Sequence, residues 1–186
     1  MTDGRGTKAD LPNGHGLSEQ LEQLRPIYED RKLASSDREH AFYRYWTLRI
    51  ANEGGLSHDS IVSVLKHRDW AYPVGDIIYQ LCIRNSIRES DIDWLMGALS
   101  EAPGNDFAVR QLRALRTLED RSKCWRSRLS EVLSDRADWA ARRILSQLTS
   151  AEVEEAIGII SSSSRPARSR NKLIEFARQV GRGPST

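Results

Sequence analysis

Apolar residues recur at helical spacing along most of the chain, and the elements that they predict are helices. The clearest case is residues 133–148, LSDRADWAARRILSQL, whose apolar face comprises Ala140, Ala141, Ile144, Leu145 and Leu148. No segment shows the alternation or the β-branched clustering that is typical of a strand. The pattern therefore predicts an all-α protein.

The predicted helices come in pairs at a regular interval. The pairs are 57–68 with 73–83, 90–101 with 105–118, 121–134 with 137–148, and 150–161 with 166–180. Their starts, near 57, 90, 121 and 150, step by 33, 31 and 29 residues, which is the period of antiparallel helix pairs that stack into solenoids. Two helices precede the pairs, and the second is expected to cap the array with Phe42, Trp46 and Ile50, because a terminal repeat otherwise leaves its core open to water.

The two ends of the chain contain few apolar residues, which sets the predicted domain boundaries. We expect a disordered N-terminal tail over 1–16 and a flexible C-terminal tail over 181–186, because neither segment can bury enough surface to offset the entropy of ordering it. Between them, 17–180 is predicted to form a single helical-repeat domain. It is divided into capping helices, 17–55, and four helix pairs, 57–180.

Two of the second helices begin with the same short motif. An Asp in the turn is followed within three or four residues by Val-Arg or Ala-Arg, and the members are Asp106, Val109 and Arg110 in one helix and Asp138, Ala141 and Arg142 in the other. An aromatic residue, Phe107 or Trp139, follows each Asp. This arrangement resembles the second half of a HEAT repeat, over roughly residues 57–180. The resemblance implies a short right-handed α-solenoid whose usual function is protein binding. The first pair departs from the pattern, since Tyr72 and Pro73 stand where Val-Arg would fall.

The distribution of charge along the chain says more about possible partners than the net charge does. The net charge is +2, which is too small to imply a nucleic-acid or membrane partner by bulk electrostatics. However, 23 of the 28 basic residues are arginines, a bias that fits a GC-rich bacterial genome. Arginine makes planar and stacked contacts with carboxylates, phosphates and aromatic rings that lysine cannot make. Clusters of arginine are therefore candidate binding surfaces.

The candidate partner-binding residues lie on two second helices, opposite their apolar arcs. They are Arg110, Arg113, Trp139, Arg142 and Arg143. Because second helices line the concave face of HEAT arrays, the resemblance implies that these residues share one surface. Two interpretations stay open for Trp139, which either packs against the neighbouring second helix or is an exposed binding hot spot flanked by arginines. The arginines likewise form either a binding face or a solvated face with intrahelical acidic partners.

Residues that could perform catalysis or hold a metal form no recognisable constellation. The four histidines show no His-Glu-x-x-His spacing, and no serine stands in a nucleophile elbow. Cys82 and Cys124 lack metal-ligand spacing and are expected to be buried thiols. Acidic residues directly before tryptophans, as at Asp69, Asp93 and Asp138, resemble the inventory of HEAT-like alkylpurine DNA glycosylases without matching a specific motif. We expect no catalytic residue, no cofactor and no metal.

These observations predict a non-enzymatic module that binds another protein, with an acidic surface, in a stoichiometric complex. Bacterial regulators, adaptors and immunity-type inhibitors act in this way. The alternative is a nucleic-acid-binding protein that uses the arginine-rich face, either as a DNA-binding regulator or as a glycosylase-like enzyme. The N-terminus lacks the apolar core of a signal peptide and no apolar run approaches membrane-spanning length, so we expect a cytoplasmic protein without a membrane partner.

Overall fold

The computed structural model describes residues 16–182, and every regular element in that range is a helix. The ten helices are α1 Leu17–Glu29, α2 Ser35–Glu53, α3 His58–Leu65, α4 Ala71–Ile83, α5 Glu89–Ser100, α6 Asp106–Glu119, α7 Trp125–Ser134, α8 Asp138–Leu145, α9 Ser150–Ser162 and α10 Ala167–Gly181. The all-α prediction is confirmed for this part of the chain. Most of the two predicted tails lies outside the described residues.

Local sequence signals account for several helix ends. The hydroxyl of Ser57 accepts a hydrogen bond from the backbone N–H of Ser60, and it caps α3. Thr149 and Glu152 form a reciprocal capping box at the start of α9. Helix α2 ends at Gly54, whose φ of 73° lies in the left-handed region that glycine adopts without steric cost.

The contacts divide the chain into two compact units. The first unit contains α1–α4 together with residues 101–105, and the second contains α5–α10. In the first unit, α1 packs on α2 and α2 packs on α4. Phe42 is fully buried at the centre of this unit, and its ring contacts Tyr28, Trp46, His67 and Trp70 at centroid distances of 4.9–6.3 Å.

A close approach within the first unit fixes the end of α2 against the end of α4. The hydroxyl of Ser86 donates to the carbonyl oxygen of Gly54 at 2.8 Å. A Cβ atom added to Gly55 would lie 2.8 Å from Cβ of Ser86, closer than real Cβ contacts come. The contact therefore requires glycine at position 55.

The second unit is built from three packed helix pairs, α5 with α6, α7 with α8, and α9 with α10. Helix α8 also contacts α6 and α10, and α7 also contacts α6 and α9. The buried cluster at its centre is aliphatic, with Leu129, Leu145, Ile160 and Leu173 fully buried. Aromatic side chains pack only at its edge, and these are Trp125, Trp139 and Phe176.

The turns after α4 and α7 have the same geometry. After α4, the N–H of Ser86 bonds to the carbonyl of Leu81 at 3.0 Å, and Asn85 has a φ of 55°. After α7, the N–H of Ala137 bonds to the carbonyl of Val132 at 3.0 Å, and Arg136 has a φ of 57°. Both turns thus have the six-residue closing bond of a Schellman motif, although neither has glycine at the left-handed position.

One prediction about the cysteines is wrong. Cys82 is buried as expected, whereas Cys124 is exposed. The predicted helix 121–134 begins later than expected, and Cys124 is the N-cap of α7 instead of a residue inside the helix. A hydrogen bond with Ser127 lowers the pKa of the Cys124 thiol below its usual value.

Candidate protein-binding surface

The structure places all five candidate residues on two adjacent helices of the second unit. Arg110 and Arg113 belong to α6, and Trp139, Arg142 and Arg143 belong to α8, which contacts α6. We call this set the arginine–tryptophan surface. Its members differ in their burial and in the groups that hold them.

Trp139 is a partly buried anchor at the edge of the core. Its indole Nε1 donates a hydrogen bond of 2.8 Å to Oε1 of Gln111, a side chain of α6 that is only 1% exposed. The guanidinium of Arg143 lies over the indole ring at 5.5 Å from its centroid. The ring is therefore fixed in one orientation, and its role in binding stays a prediction.

Arg110 and Arg113 surround a buried carboxylate. Arg113 Nη1 lies 2.9 Å from Oδ1 of Asp135, whose side chain is 7% exposed, whereas the Arg113 side chain is 58% exposed. Burial raises the pKa of Asp135, and the charges of Arg113 and Arg110 oppose that shift. The Nε of Arg110 is itself buried without a hydrogen-bond partner in the described part of the chain. Arg113 therefore has a structural partner that the sequence pattern did not indicate.

Arg142 interacts with α10 instead of with the acidic residue one turn before it. Its guanidinium lies over the ring of Phe176 at 5.0 Å. Asp138, the expected intrahelical partner, instead forms an ion pair with the buried Arg165 and accepts a hydrogen bond of 2.8 Å from Ser169. This network joins α8 to the start of α10.

Sequence reasoning missed three residues that hold this surface in place, namely Gln111, Asp135 and Phe176. Gln111 carries a local signal, because it lies on the buried side of α6 next to Leu112. The contacts of Arg165 and Phe176 join residues far apart in the chain, and no helical periodicity encodes them.

The part of the chain that the structure describes contains neither a metal-binding cluster nor a helix that could span a membrane. Within 16–182, no three or more His, Cys, Asp or Glu side chains come together in a way that could hold a metal ion. None of the helices in that range combines the length and the apolar character needed to cross a bilayer.

Comparison with protein-family models, with curated protein sequences and with solved structures found no match for this chain. The resemblance to HEAT repeats accordingly stays a prediction based on the motif.

Proposed function

We propose that this protein is a non-enzymatic module that binds another protein through the arginine–tryptophan surface. The observation that carries the proposal is the fixed indole of Trp139, bonded to Gln111 and covered by Arg143. Tryptophan and arginine dominate binding hot spots. Side chains that are already ordered lose less entropy when a partner binds.

The chemistry of the surface favours an acidic partner. Arg142 is exposed while its guanidinium rests on Phe176. Arg113 is also mostly exposed, with one N–H engaged by Asp135. A guanidinium has five N–H donors, so both retain donors for carboxylates of a partner.

The helix neighbours in the second unit support a HEAT-like arrangement. Helix α8 contacts α6 on one hand and α10 on the other, and α7 contacts α9. In a solenoid, second helices neighbour second helices and first helices neighbour first helices. We therefore propose a short right-handed solenoid in this unit, with α6, α8 and α10 presenting the binding face. A bacterial regulator, adaptor or immunity-type inhibitor in the cytoplasm would use such a face stoichiometrically.

Affinity capture followed by calorimetry tests the proposal. Wild-type protein should capture a defined partner from nuclease-treated lysate of the source organism, and the purified partner should bind with fixed stoichiometry. Arg142→Glu and Arg143→Glu should each weaken binding about tenfold or more. Arg121→Glu is the matched control, because Arg121 is exposed and lies outside the surface. Reversal of Arg113 is unsuitable, since it would place a second carboxylate beside the buried Asp135.

Two outcomes would overturn the proposal. One is equal binding by wild type and both α8 variants, which would make the surface merely solvated. The other is loss of capture on nuclease treatment together with competition by unrelated duplexes, which would favour the nucleic-acid alternative.

A further inference from the structure

A basic cavity in the first unit has no role in the proposed function. Its volume is about 390 Å³, and it lies where the α1–α2 loop and the start of α2 meet the α3–α4 turn. Three of its lining side chains are basic, Arg31, Arg38 and Lys66, and two are rings, His67 and Trp70. This combination is typical of a site for an anion attached to an organic body.

Arg38, which lines the cavity, is held in place by two contacts. Its Nε donates to the carbonyl oxygen of Tyr28 at 3.2 Å, and its guanidinium lies 5.2 Å from the ring centroid of Trp70. Trp70 is in turn stacked on His67, with centroids 4.6 Å apart and planes 23° from parallel. The contact through Nε leaves the Nη1 and Nη2 groups, a fork of N–H donors that matches two oxygens of a phosphate.

The charges that line the cavity do not cancel. Within residues 16–182, neither Arg31, Arg38 nor Lys66 forms an ion pair. The two acidic lining residues are the exposed Asp69 and Glu29, and the charge of Glu29 is already balanced by its ion pair with Arg25 at 3.0 Å. An excess of positive charge therefore remains, and a divalent anion would neutralise it.

A second cavity adjoins the first and is suited to the organic part of a ligand. It has a volume of about 260 Å³ and shares Glu29, Lys66 and His67 with the basic cavity. Its other lining residues combine the rings of Tyr28, Tyr45 and Trp46 with the charged side chains of Arg25, Arg49 and Asp59. A molecule with a ring next to its anionic group fits the two cavities together.

We propose that the first unit binds a small phosphate monoester. The phosphate lies between Arg31, Arg38 and Lys66, and the body of the molecule extends past His67 into the second cavity, beside Tyr45 and Trp46. A phosphate monoester has close to two negative charges at neutral pH and three strong acceptor oxygens. Basic groups from three separate segments match that geometry better than they match a planar carboxylate, for which one guanidinium fork suffices.

Calorimetric titration with phenyl phosphate tests the site on the full chain. Wild type should bind it saturably at one site, inorganic phosphate should bind more weakly, and phenol should not bind. Lys66→Gln and Arg31→Gln should each weaken binding about fivefold or more, because each removes a charge-assisted contact. Both residues are exposed, so folding should be retained. Lys172→Gln and Arg121→Gln, which change exposed residues of the second unit, should bind like wild type.

The proposal fails if phenyl phosphate does not saturate the protein, or if Lys66→Gln and Lys172→Gln bind it equally. Lys66→Arg distinguishes lost charge from altered folding, since it should restore binding. A parallel titration with an oligothymidylate distinguishes a site for a small phosphate monoester from a site for the phosphates of a nucleic acid. If the oligonucleotide binds more tightly than phenyl phosphate, and through Lys66 and Arg31, the site is for nucleic acid and the small-molecule assignment is wrong.

Discussion

The two units of this protein use aromatic residues in opposite ways. In the first unit a buried phenylalanine, Phe42, is surrounded by other rings, and these are Tyr28, Trp46, His67 and Trp70. Several of those rings have polar atoms. The Nε1 of Trp46 is buried without a hydrogen-bond partner in the described chain, and burial raises the pKa of Tyr28 to about 12.

In the second unit the centre is aliphatic and the aromatic residues lie at its edge. Three of them have an arginine over the ring, and the pairs are Trp125 with Arg126, Trp139 with Arg143, and Phe176 with Arg142. Arginines also lie over rings of the first unit, Arg38 over Trp70 and Arg49 over Trp46, so the difference between the units is in where the rings lie. A centre of packed rings therefore distinguishes the first unit, and an aliphatic centre with rings at its edge distinguishes the second.

The largest effect should come from removing the central ring of the first unit. Phe42→Ala should lower the free energy of unfolding by about 3–5 kcal/mol and change the near-ultraviolet circular dichroism. Leu129→Ala, in the aliphatic cluster, should cost about 2–5 kcal/mol and leave the aromatic signal close to that of wild type. Urea denaturation measures both. Tyr72→Ala is the control, because that side chain is 82% exposed. Equal dichroism changes in both core variants would remove the distinction between the two centres.

A smaller effect should come from the hydrogen bond between Trp139, a ring at the edge of the second unit's core, and the buried Gln111. Trp139→Phe keeps most of the packing but leaves Oε1 of Gln111 buried without a donor, which should cost about 1–3 kcal/mol. Adding Gln111→Leu should recover part of that loss, because both polar partners are then absent. A double-mutant cycle from urea denaturation measures the coupling. Strictly additive losses would mean that the bond contributes nothing, and the edge ring would then be a purely apolar contact.

The two matched turns allow a direct comparison of the units. Arg136→Gly should raise the free energy of unfolding by about 0.5–1 kcal/mol, because glycine adopts the left-handed conformation without steric cost. Arg136 also acts on the buried Arg165, whose pKa is lowered by burial and by that neighbouring charge. Asn85→Gly should gain less, since asparagine tolerates positive φ. Thermal melts of both variants check the order, and a larger gain at position 85 would contradict this account.

The smallest effect is a pH dependence of stability, and it should come from His67 in the aromatic centre of the first unit. Burial, followed by the charges of Arg38 and Lys66, lowers the pKa of His67 below its usual value of 6.5. The folded pKa is thus below the unfolded pKa, so the contribution of His67 to stability is fully present above pH 6.5 and declines as the pH falls through the folded pKa. Stability should fall less between pH 7 and pH 5 in His67→Phe than in wild type or in the exposed control His40→Gln. Parallel pH profiles for His67→Phe and wild type would show that another group titrates.

Much of the fold could be predicted from the sequence, because helices are encoded locally. The periodicity of 133–148, the turn before Asp138 and the glycine at Gly54 each gave the correct element or its end. The start of α7 was missed because residues 121–124, which are polar up to the N-cap Cys124, lie before the helix and carry no apolar period that could mark its first turn. The apolar periodicity of a helix indicates which of its residues face inward, but it does not determine the residue at which the helix begins.

The candidate sites were less predictable, because they depend on contacts between distant residues. The periodicity correctly placed Trp139 beside Arg143, one turn apart, whereas its bond to Gln111 joins residues 28 positions apart. The basic cavity combines Arg31, Arg38 and Lys66 from three segments, and helical periodicity does not indicate that these segments meet. The local sequence near the cavity shows only the acidic–aromatic pair Asp69 and Trp70, which does not by itself indicate an anion site.

The contact between Gly55 and Ser86 limits which pairs of residues related sequences can have at these two positions. An alanine at position 55 would place its Cβ 2.8 Å from the Cβ of Ser86, so an alanine at position 86 would not relieve the clash. Only glycine at 86 would leave space, and it would remove the hydroxyl that bonds to Gly54. The dependence between the two positions, 31 residues apart in the chain, is therefore one-sided: relatives with a side chain at 55 should have glycine at 86, whereas Ser86 can be replaced while Gly55 is kept, with loss of the bond to Gly54.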